Sequence, residues 1–422
     1  MSDRKILVIG AGLIGVTTAY ELVARGEDVE LIDTREGVAL EASFANGAML
    51  TASMPEPWNG PGVHKHLIAS LFDARSPMKL HVSALPSLLS WGIRFLYNSS
   101  EELHWAAARA NYALASYSIR STRDLRERLQ LPYAAFTVGT MKVFRHGPAM
   151  ERPTAFARML AHDGLRYRVL DRDAATEVEP QLAPVRDAIA GALYFPDDEG
   201  GDAHLFCRQL ADRFVAAGGQ LRTGARVERI VTGRGQVAGA ETTQGRIETR
   251  RVVVAAGHQT PDLLRALGLY LPIQPVKGYS VTIDLPGLAE RSPRIPVIDD
   301  AAHAAVVPVG SRLRCAGIAE FAGTDRTIDG RRIDGLFNLM TRLYPRITEG
   351  VDRRSARPWT GLRPISSDGV PFVGPTRIPG LYVNAGHGHL GWTLAVGSAR
   401  LLADMLQDSP TAIDPHSYRA TR

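Results

Sequence analysis

Cysteine is scarce in this sequence: Cys207 and Cys315 are the two thiols in 422 residues. They form no disulfide framework and lack the ligand spacing of a metal or iron–sulfur site. Both lie among apolar neighbours and read as small buried hydrophobes, so a reducing, cytoplasmic setting is expected. No apolar run has the length a bilayer demands, and with strand character beginning at Lys5 we expect no secretory leader. Integral membrane insertion is therefore excluded, while peripheral docking on the inner face of the cytoplasmic membrane stays open. A dominant charge is missing too. Lysine plus arginine total 49 against 44 acids, a net charge of +5 with the arginines scattered, which argues against nucleic acid as a partner. There are no repeats or low-complexity tracts. The adjacent acids Asp197, Asp198 and Glu199 share no helical face, so they read as a solvated turn and not as a metal site. What remains is an ordinary globular composition, 45% hydrophobic, in a chain longer than one core usually organises. Two domains are expected.

The most informative stretch is Lys5 to Asp33, KILVIGAGLIGVTTAYELVARGEDVELID. Ile6 to Ile9 suits a buried parallel strand, helical periodicity runs from Ile14 to Arg25, and Val29 to Ile32 is a second strand. Gly10, Gly12 and Gly15 stand in GxGxxG spacing between the first strand and the helix. Gly10 permits the sharp turn, Gly12 lets a pyrophosphate reach the backbone, and Gly15 lets helix and strand pack closely. The helix N-terminus offers unpaired N–H groups and a positive dipole end. Asp33 ends the second strand at about the ~20-residue offset from which a carboxylate reaches ribose hydroxyls. The unit reads as a dinucleotide-binding βαβ that does not itself separate NAD from FAD; by analogy to flavoproteins its N-terminal position leans towards FAD.

The loop after Asp33 is too long for a plain connection. Ser43, Asn46 and Gly47 can place hydroxyl, amide and backbone groups against a flavin edge. Residues 64 to 130 read as mainly helical, with Trp91, Phe95 and Tyr97 making the middle segment apolar and aromatic. Core is the default for that segment; a substrate lid and a membrane-surface patch are the alternatives. Strands and short helices follow to Gly201, and Asp202 caps a helix. The run to VVVAAG returns to the nucleotide-binding sheet, with Ala256 and Gly257 placed to lie against a ligand. Residues 270 to 350 alternate as an antiparallel sheet with a helix from Ile333 to Leu343. A second glycine-rich turn follows the strand Leu381 to Asn384, with Gly386, Gly388 and Gly391 entering a helix from Trp392 to Leu406. This too makes an anion-accepting N-terminus, suited to negative charge on a reduced flavin.

These pieces together resemble the FAD-dependent D-amino-acid dehydrogenases, within the broader D-amino-acid oxidase and glycine oxidase superfamily. The resemblance is carried by VIGAGLIGVTTAYEL with LID, EASFANGAML with PWNGPGV, YFPDDEGGDAHLF, PVKGYSVTI, AGIAEFAG, and WTGLRPISSDGVPFVG with NAGHGHLGWT, spanning nearly the whole chain. It implies an α/β fold: a discontinuous Rossmann-type FAD-binding domain (1–85, 195–265 and 355–422) and an α+β substrate domain on an antiparallel sheet (86–194 and 266–354). It implies non-covalent FAD held by Gly10, Gly12, Gly15, Asp33, Thr34, Arg35, Ser43, Asn46, Gly47, Val227, Ala256 and Gly257. At the second turn it implies Gly386, Gly388, His389, Leu390, Gly391, Trp392 and Thr393. It further implies oxidative deamination of a D-amino acid to a 2-oxo acid and ammonia, with electrons leaving to a quinone or other acceptor.

One departure touches substrate choice. After SFAN the family usually continues with an alanine-glycine-glutamine-like run, and here the residues are Gly47, Ala48, Met49 and Leu50. GHGHLG and LPSLLSWGIRFL also resemble relatives that oxidise secondary or cyclic amines, of the glyphosate oxidoreductase and hydroxyproline dehydrogenase kinds. A flavin subunit of a hetero-oligomer is a further alternative.

Hydride transfer from the substrate Cα to flavin N5 requires a fixed substrate, and arginine grips a carboxylate bidentately. Arg363 in WTGLRP is the expected clamp, with the Tyr279 hydroxyl assisting and Lys277 a weaker candidate. His387 and His389 flank the second glycine turn. His387 is the candidate base, with locking of the turn by hydrogen bonds as the alternative.

Overall fold

The computed structural model describes residues 5–72, 76–285 and 292–422; the expected lead-in at residues 1–4 lies outside them. Lys5–Ile9 lies inside a six-stranded sheet. Its order is Phe372–Pro375, Leu381–Ala385, Arg251–Val254, Lys5–Ile9, Asp28–Ile32 and Gln220–Arg222. Neighbours are parallel except the pair Phe372–Pro375 and Leu381–Ala385. A parallel strand covered on both faces must be apolar throughout, and Ile6, Leu7 and Val8 are fully buried. Alternation sorts their side chains. Ile6, Val8 and Val253 join a core with the helices Leu13–Ala24, Ala203–Ala216 and Gly391–Leu406. Leu7, Ile9, Val252 and Val254 pack beneath the antiparallel meander Val227–Gly233, Gln236–Thr242 and Gly245–Ile247.

The first glycine turn shows why helix and sheet meet so closely. Gly10 sits at φ +101°, and a Cβ on Gly15 would fall 1.6 Å from the Gly10 carbonyl oxygen. Gly26, at φ +85°, follows the helix end as expected.

The second sheet has nine strands. Its path runs Arg357–Ser366, Ile273–Asp284, Arg312–Phe321, Ala304–Val309, Val297–Asp299, Thr140–Phe144, Gly191–Phe195 and Arg168–Leu170, with Met78–Leu80 beside Arg312–Phe321. It is antiparallel except where Val297–Asp299 meets Thr140–Phe144 and where Arg312–Phe321 meets Met78–Leu80. The helix Gly330–Leu343, capped by Asp329, closes one face through Leu336, Met340 and Leu343. The opposite face looks onto a large cavity.

Several segments differ from expectation. The strand Arg357–Ser366 was expected with the flavin unit, but it pairs over ten residues with Ile273–Asp284 and so belongs to the second sheet. The helix Glu101–Leu129 was expected with the substrate unit. It packs on the parallel-sheet side instead, where Ser118 Oγ accepts the Gly397 N–H at 2.9 Å. On the helix Leu85–Tyr97 only Leu88, Trp91 and Phe95 are buried, while Tyr97 is exposed. The acidic triplet is not a solvated turn. Asp198 is buried against the Ser53 and Thr140 hydroxyls, and Glu199 is buried against Arg123 and Arg126. Partners distant in sequence make that burial affordable. Asp197 alone stays at the surface, paired with Arg166.

Candidate active site

A cavity of 1390 Å³ runs from the first glycine turn to the open face of the second sheet. It exceeds the roughly 300–1,000 Å³ of an ordinary small-ligand pocket, which is room for a dinucleotide and a second small molecule. At one end Gly10, Gly12, Asp33, Thr34, Arg35 and Val227 line it. Asp33 Oδ2 accepts the Ala11 N–H at 2.6 Å and Oδ1 the Arg35 N–H at 2.8 Å, so this carboxylate braces the turn while facing the cavity. Burial raises its pKa, against the pull of those two amides. The Arg35 side chain is turned to Glu41. Ser43, Asn46, Gly47, Ala256 and Gly257 continue the wall. Ser43 Oγ accepts the Leu13 N–H at 3.1 Å and so occupies one donor of the helix N-terminus.

At the other end Gly388, His389, Gly391, Trp392 and Thr393 form the second turn and helix start. That helix has no side-chain cap, and Trp392 Nε1 is buried without a partner among the described residues. A cradle of open backbone donors at both ends, with an orphaned indole N–H at one, fits FAD. Three expected cofactor residues do not line the cavity. Gly15 serves helix packing, Gly386 takes the turn at φ +82°, and Leu390 is buried in the core. Cys207 and Cys315 are fully buried, and burial pushes both thiols up, which makes them poor nucleophiles.

Arg363 is the cation of this end. Its Nη1 donates to the Ile318 carbonyl at 2.9 Å and Nη2 to Gly317 at 3.4 Å, and the guanidinium lies 5.5 Å over the Trp58 ring. It makes no ion pair with a described residue, and burial lowers its pKa to about 10. Two backbone features put it there. A Cβ on Gly278 would come within 2.2 Å of Nη1, so only glycine leaves room. Opposite Gly278 the strand Arg312–Phe321 carries a bulge, with Ile318 at φ +65°, which places its carbonyl against the guanidinium.

Trp58, absent from the sequence-based set, contacts both Arg363 and His389 through its ring. Its ring stacks on His389 at 5.2 Å with an interplanar angle of 14°. Burial, with Arg363 nearby, lowers the His389 pKa to about 4, and the ring hydrogen-bonds the Met54 backbone. His387 is buried, its pKa lowered to about 3 by desolvation. Its Nε2 lies 3.1 Å from Ser398 Oγ, whose own proton goes to the Ala395 carbonyl. Nε2 therefore carries the ring proton and donates it to Ser398, the turn-locking arrangement. The His387 backbone also bridges to Ile365, tying the second turn to the arginine strand.

Tyr279 departs from its expected role. It alternates with Gly278, so its side chain points to the other sheet face, where the hydroxyl donates to Glu320 Oε2 at 2.9 Å. Lys277 points the same way, to Asp325 at 2.6 Å and to Glu320. Neither the hydroxyl nor the ammonium faces the guanidinium. Period two could have warned of this, since Gly278 and Tyr279 cannot share a face.

A dinucleotide cradle joined to an anion-seeking pocket defines an FAD-dependent oxidoreductase. The chain belongs to the DAO family of FAD-dependent oxidoreductases, whose model matches residues 5–405. A D-amino acid dehydrogenase of Rhizobium johnstonii is 38% identical over 418 residues, covering 99% of each chain. Glycine oxidase from Geobacillus kaustophilus shares the fold, with TM-score 0.76, 23% identity and 99% of each chain covered. L-proline dehydrogenase from P. horikoshii does so with TM-score 0.78, 18% identity and 99% and 97% covered.

Proposed function

We propose that this chain oxidatively deaminates D-amino acids to 2-oxo acids and ammonia, passing the electrons to a quinone or another carrier. The observation that carries the reading is the Arg363 guanidinium, held at the cavity wall by two carbonyls and a ring, with no carboxylate partner among the described residues. A charge so placed is completed by an anionic ligand, and a substrate carboxylate matches its fork. The full-length likeness to D-amino acid dehydrogenases supports the substrate class.

Bound FAD would supply the hydride acceptor, held by the first glycine turn, the Ser43–Gly47 wall and the second turn. Arg363 fixes the substrate carboxylate. Trp58 supports the guanidinium from one side and excludes water there. His389 and His387 are both neutral near pH 7 and add no charge to the pocket. Neither is needed as a base: Arg363 orients the free amine form, and solvent takes the proton. In this reading the parallel-sheet unit serves the cofactor and the second sheet serves the substrate.

Peripheral membrane docking belongs to the same proposal. Among the described residues no helix is long and apolar enough to cross a bilayer. The outer face of Leu85–Tyr97 nevertheless presents Leu85, Leu89, Ile93, Leu96 and Tyr97, with Leu89 69% and Ile93 64% exposed. Val82 and Ile68 are also exposed, Arg94 lies on the same helix, and residues 63–100 contain a single acid, Asp73, against Lys65, Arg75, Lys79 and Arg94. An apolar stripe in a basic stretch of chain suits an anionic bilayer surface, where a quinone resides.

Anaerobic mixing of the holoenzyme with D- and L-amino acids, glycine, sarcosine and cis-4-hydroxy-D-proline tests the chemistry. We expect flavin bleaching by D-amino acids; bleaching only by N-substituted or cyclic amines would overturn the substrate class. Sedimentation with anionic vesicles tests the docking. The double substitution Leu89→Asp and Ile93→Asp should release the protein, and no binding by the unaltered chain would refute it.

A further inference from the structure

Beyond Trp58 the cavity wall is built from five separate segments. Glu56 comes from the loop, His104 from the start of the helix Glu101–Leu129, and Lys142 from the strand Thr140–Phe144. Arg152 comes from the helix Glu151–Ala161, and Asp300 follows the strand Val297–Asp299. Nothing in the reading of the cofactor or of Arg363 uses them. Lys142 and Asp300 satisfy each other at 2.7 Å. Arg152 is exposed, so water can solvate its head at no cost. Glu56 is different. It is partly buried and makes no hydrogen bond or ion pair with any described residue. Burial raises its pKa, only partly offset by Lys142 and Arg152, with Asp300 adding to the rise. His104 closes the same wall with a buried Nδ1 that has no partner among the described residues. Burial and nearby Arg152 lower its pKa to about 4, so it carries no competing charge.

Glu56 lies two residues before Trp58, and two residues of chain span at most about 7 Å. Trp58 carries the guanidinium over its ring, and Glu56 and Arg363 line the same cavity. A carboxylate half withdrawn from water and left unbonded is costly unless a ligand completes it. We propose that Glu56 forms the substrate side-chain subsite and selects a cationic side chain, an ammonium or guanidinium several bonds from Cα. The inference rests on Arg363 holding the α-carboxylate. An amino acid so held presents its α-carboxylate to Arg363 and its terminal cation to Glu56, which makes D-lysine, D-ornithine and D-arginine the matched class.

The test is a ratio of kcat/KM values, D-lysine over its uncharged near-isostere D-norleucine, in the holoenzyme. The unaltered enzyme should favour D-lysine at least about tenfold, the equivalent of one charge-assisted hydrogen bond. Glu56→Gln should bring the ratio to about one, and Glu56→Lys should bring it below one while raising kcat/KM for D-glutamate. The same ratio read as Kd for the α-methyl analogues, which have no Cα hydrogen to lose, separates binding from turnover. Flavin content and Tm of each variant identify a folding defect. Should Glu56→Gln fold poorly, the ratio in the unaltered enzyme still decides: a preference for D-norleucine or for acidic side chains would overturn the subsite. A ratio unaltered by Glu56→Gln would overturn it too. In either case bleaching by D-amino acids would leave the proposed deamination standing. No bleaching by any D-amino acid would sink both.

Discussion

The two faces of the second sheet treat charge in opposite ways. Behind the sheet, Glu320 is buried and meets Tyr279, Arg332 and Lys277, while Lys277 also reaches Asp325. Burial alone would raise the Glu320 pKa, but these partners outweigh it and the net shift is downward. In front of the sheet, one strand away, Arg363 has carbonyls and a ring and no counter-ion among the described residues. The same β pleat separates them, since Lys277 and Tyr279 alternate with Gly278. The back face spends its charges on holding four elements together. The front face keeps one in reserve. A closed ionic cluster marks structure; an open charge on a cavity wall marks a ligand.

That contrast can be broken by substitution. Arg363→Ala should lower kcat/KM about a hundredfold or more, with KM for amino acids rising, while Tm holds or rises. Equal kcat/KM in steady-state assays would remove Arg363 from the site. Glu320→Ala should do the reverse. Leaving Arg332 buried without its carboxylate, and Lys277 with Asp325 alone, should cost about 3–5 kcal/mol in denaturant unfolding, with a smaller change in kcat/KM for what remains folded. A next, smaller effect concerns pH. His387 and His389 have pKa values lowered to about 3 and about 4, so neither should put a break in kcat/KM in the range about pH 5–8 where an ordinary histidine titrates, leaving only the steady rise set by the substrate's own amine. A limb there that disappears in His387→Asn would restore the base role. Tyr279→Phe should leave kcat/KM within about twofold and cost about 1 kcal/mol, the worth of one hydrogen bond.

The smallest effect is acid stability. The ammonium of Lys277 and the Thr327 N–H hold Asp325 at about 2, below its unfolded value of 3.8. A depressed carboxylate contributes stability that is complete above its unfolded pKa and is lost as pH falls through the folded one. Melting of the unaltered protein between pH 4 and 2 should therefore retain a small contribution that Lys277→Met lacks. Asp325 is about half exposed, so solvent screening keeps this effect modest.

Legibility in the sequence followed the range of the interactions. The first glycine turn was readable because strand, turn, helix and Asp33 lie within 29 consecutive residues, 5–33, each with its own local signature. Arg363 stood out through its motif. Its surroundings did not, because they arise from pairing between Arg357–Ser366 and Ile273–Asp284, some eighty residues apart, and from a bulge at Ile318 that leaves no mark in composition. Trp58 and Glu56 sit in a loop without periodicity, where nothing local says which side chain turns inward. Asp198 and Glu199 looked like surface acids because their partners Ser53, Thr140, Arg123 and Arg126 lie 50 to 150 residues away.

Ile318 carries a consequence for anyone who would make this enzyme tougher. A β-branched residue at φ +65° is strained by about 1–3 kcal/mol, and glycine at that position would relieve it. Ile318→Gly would exchange that strain for the contacts Ile318 makes with the core behind the sheet and for a looser backbone. The same change loosens the carbonyl that steadies the guanidinium, so whatever happens to the fold, the variant would bind its substrate more loosely. Directed evolution of this scaffold therefore has to select on turnover after heating, not on survival of the fold.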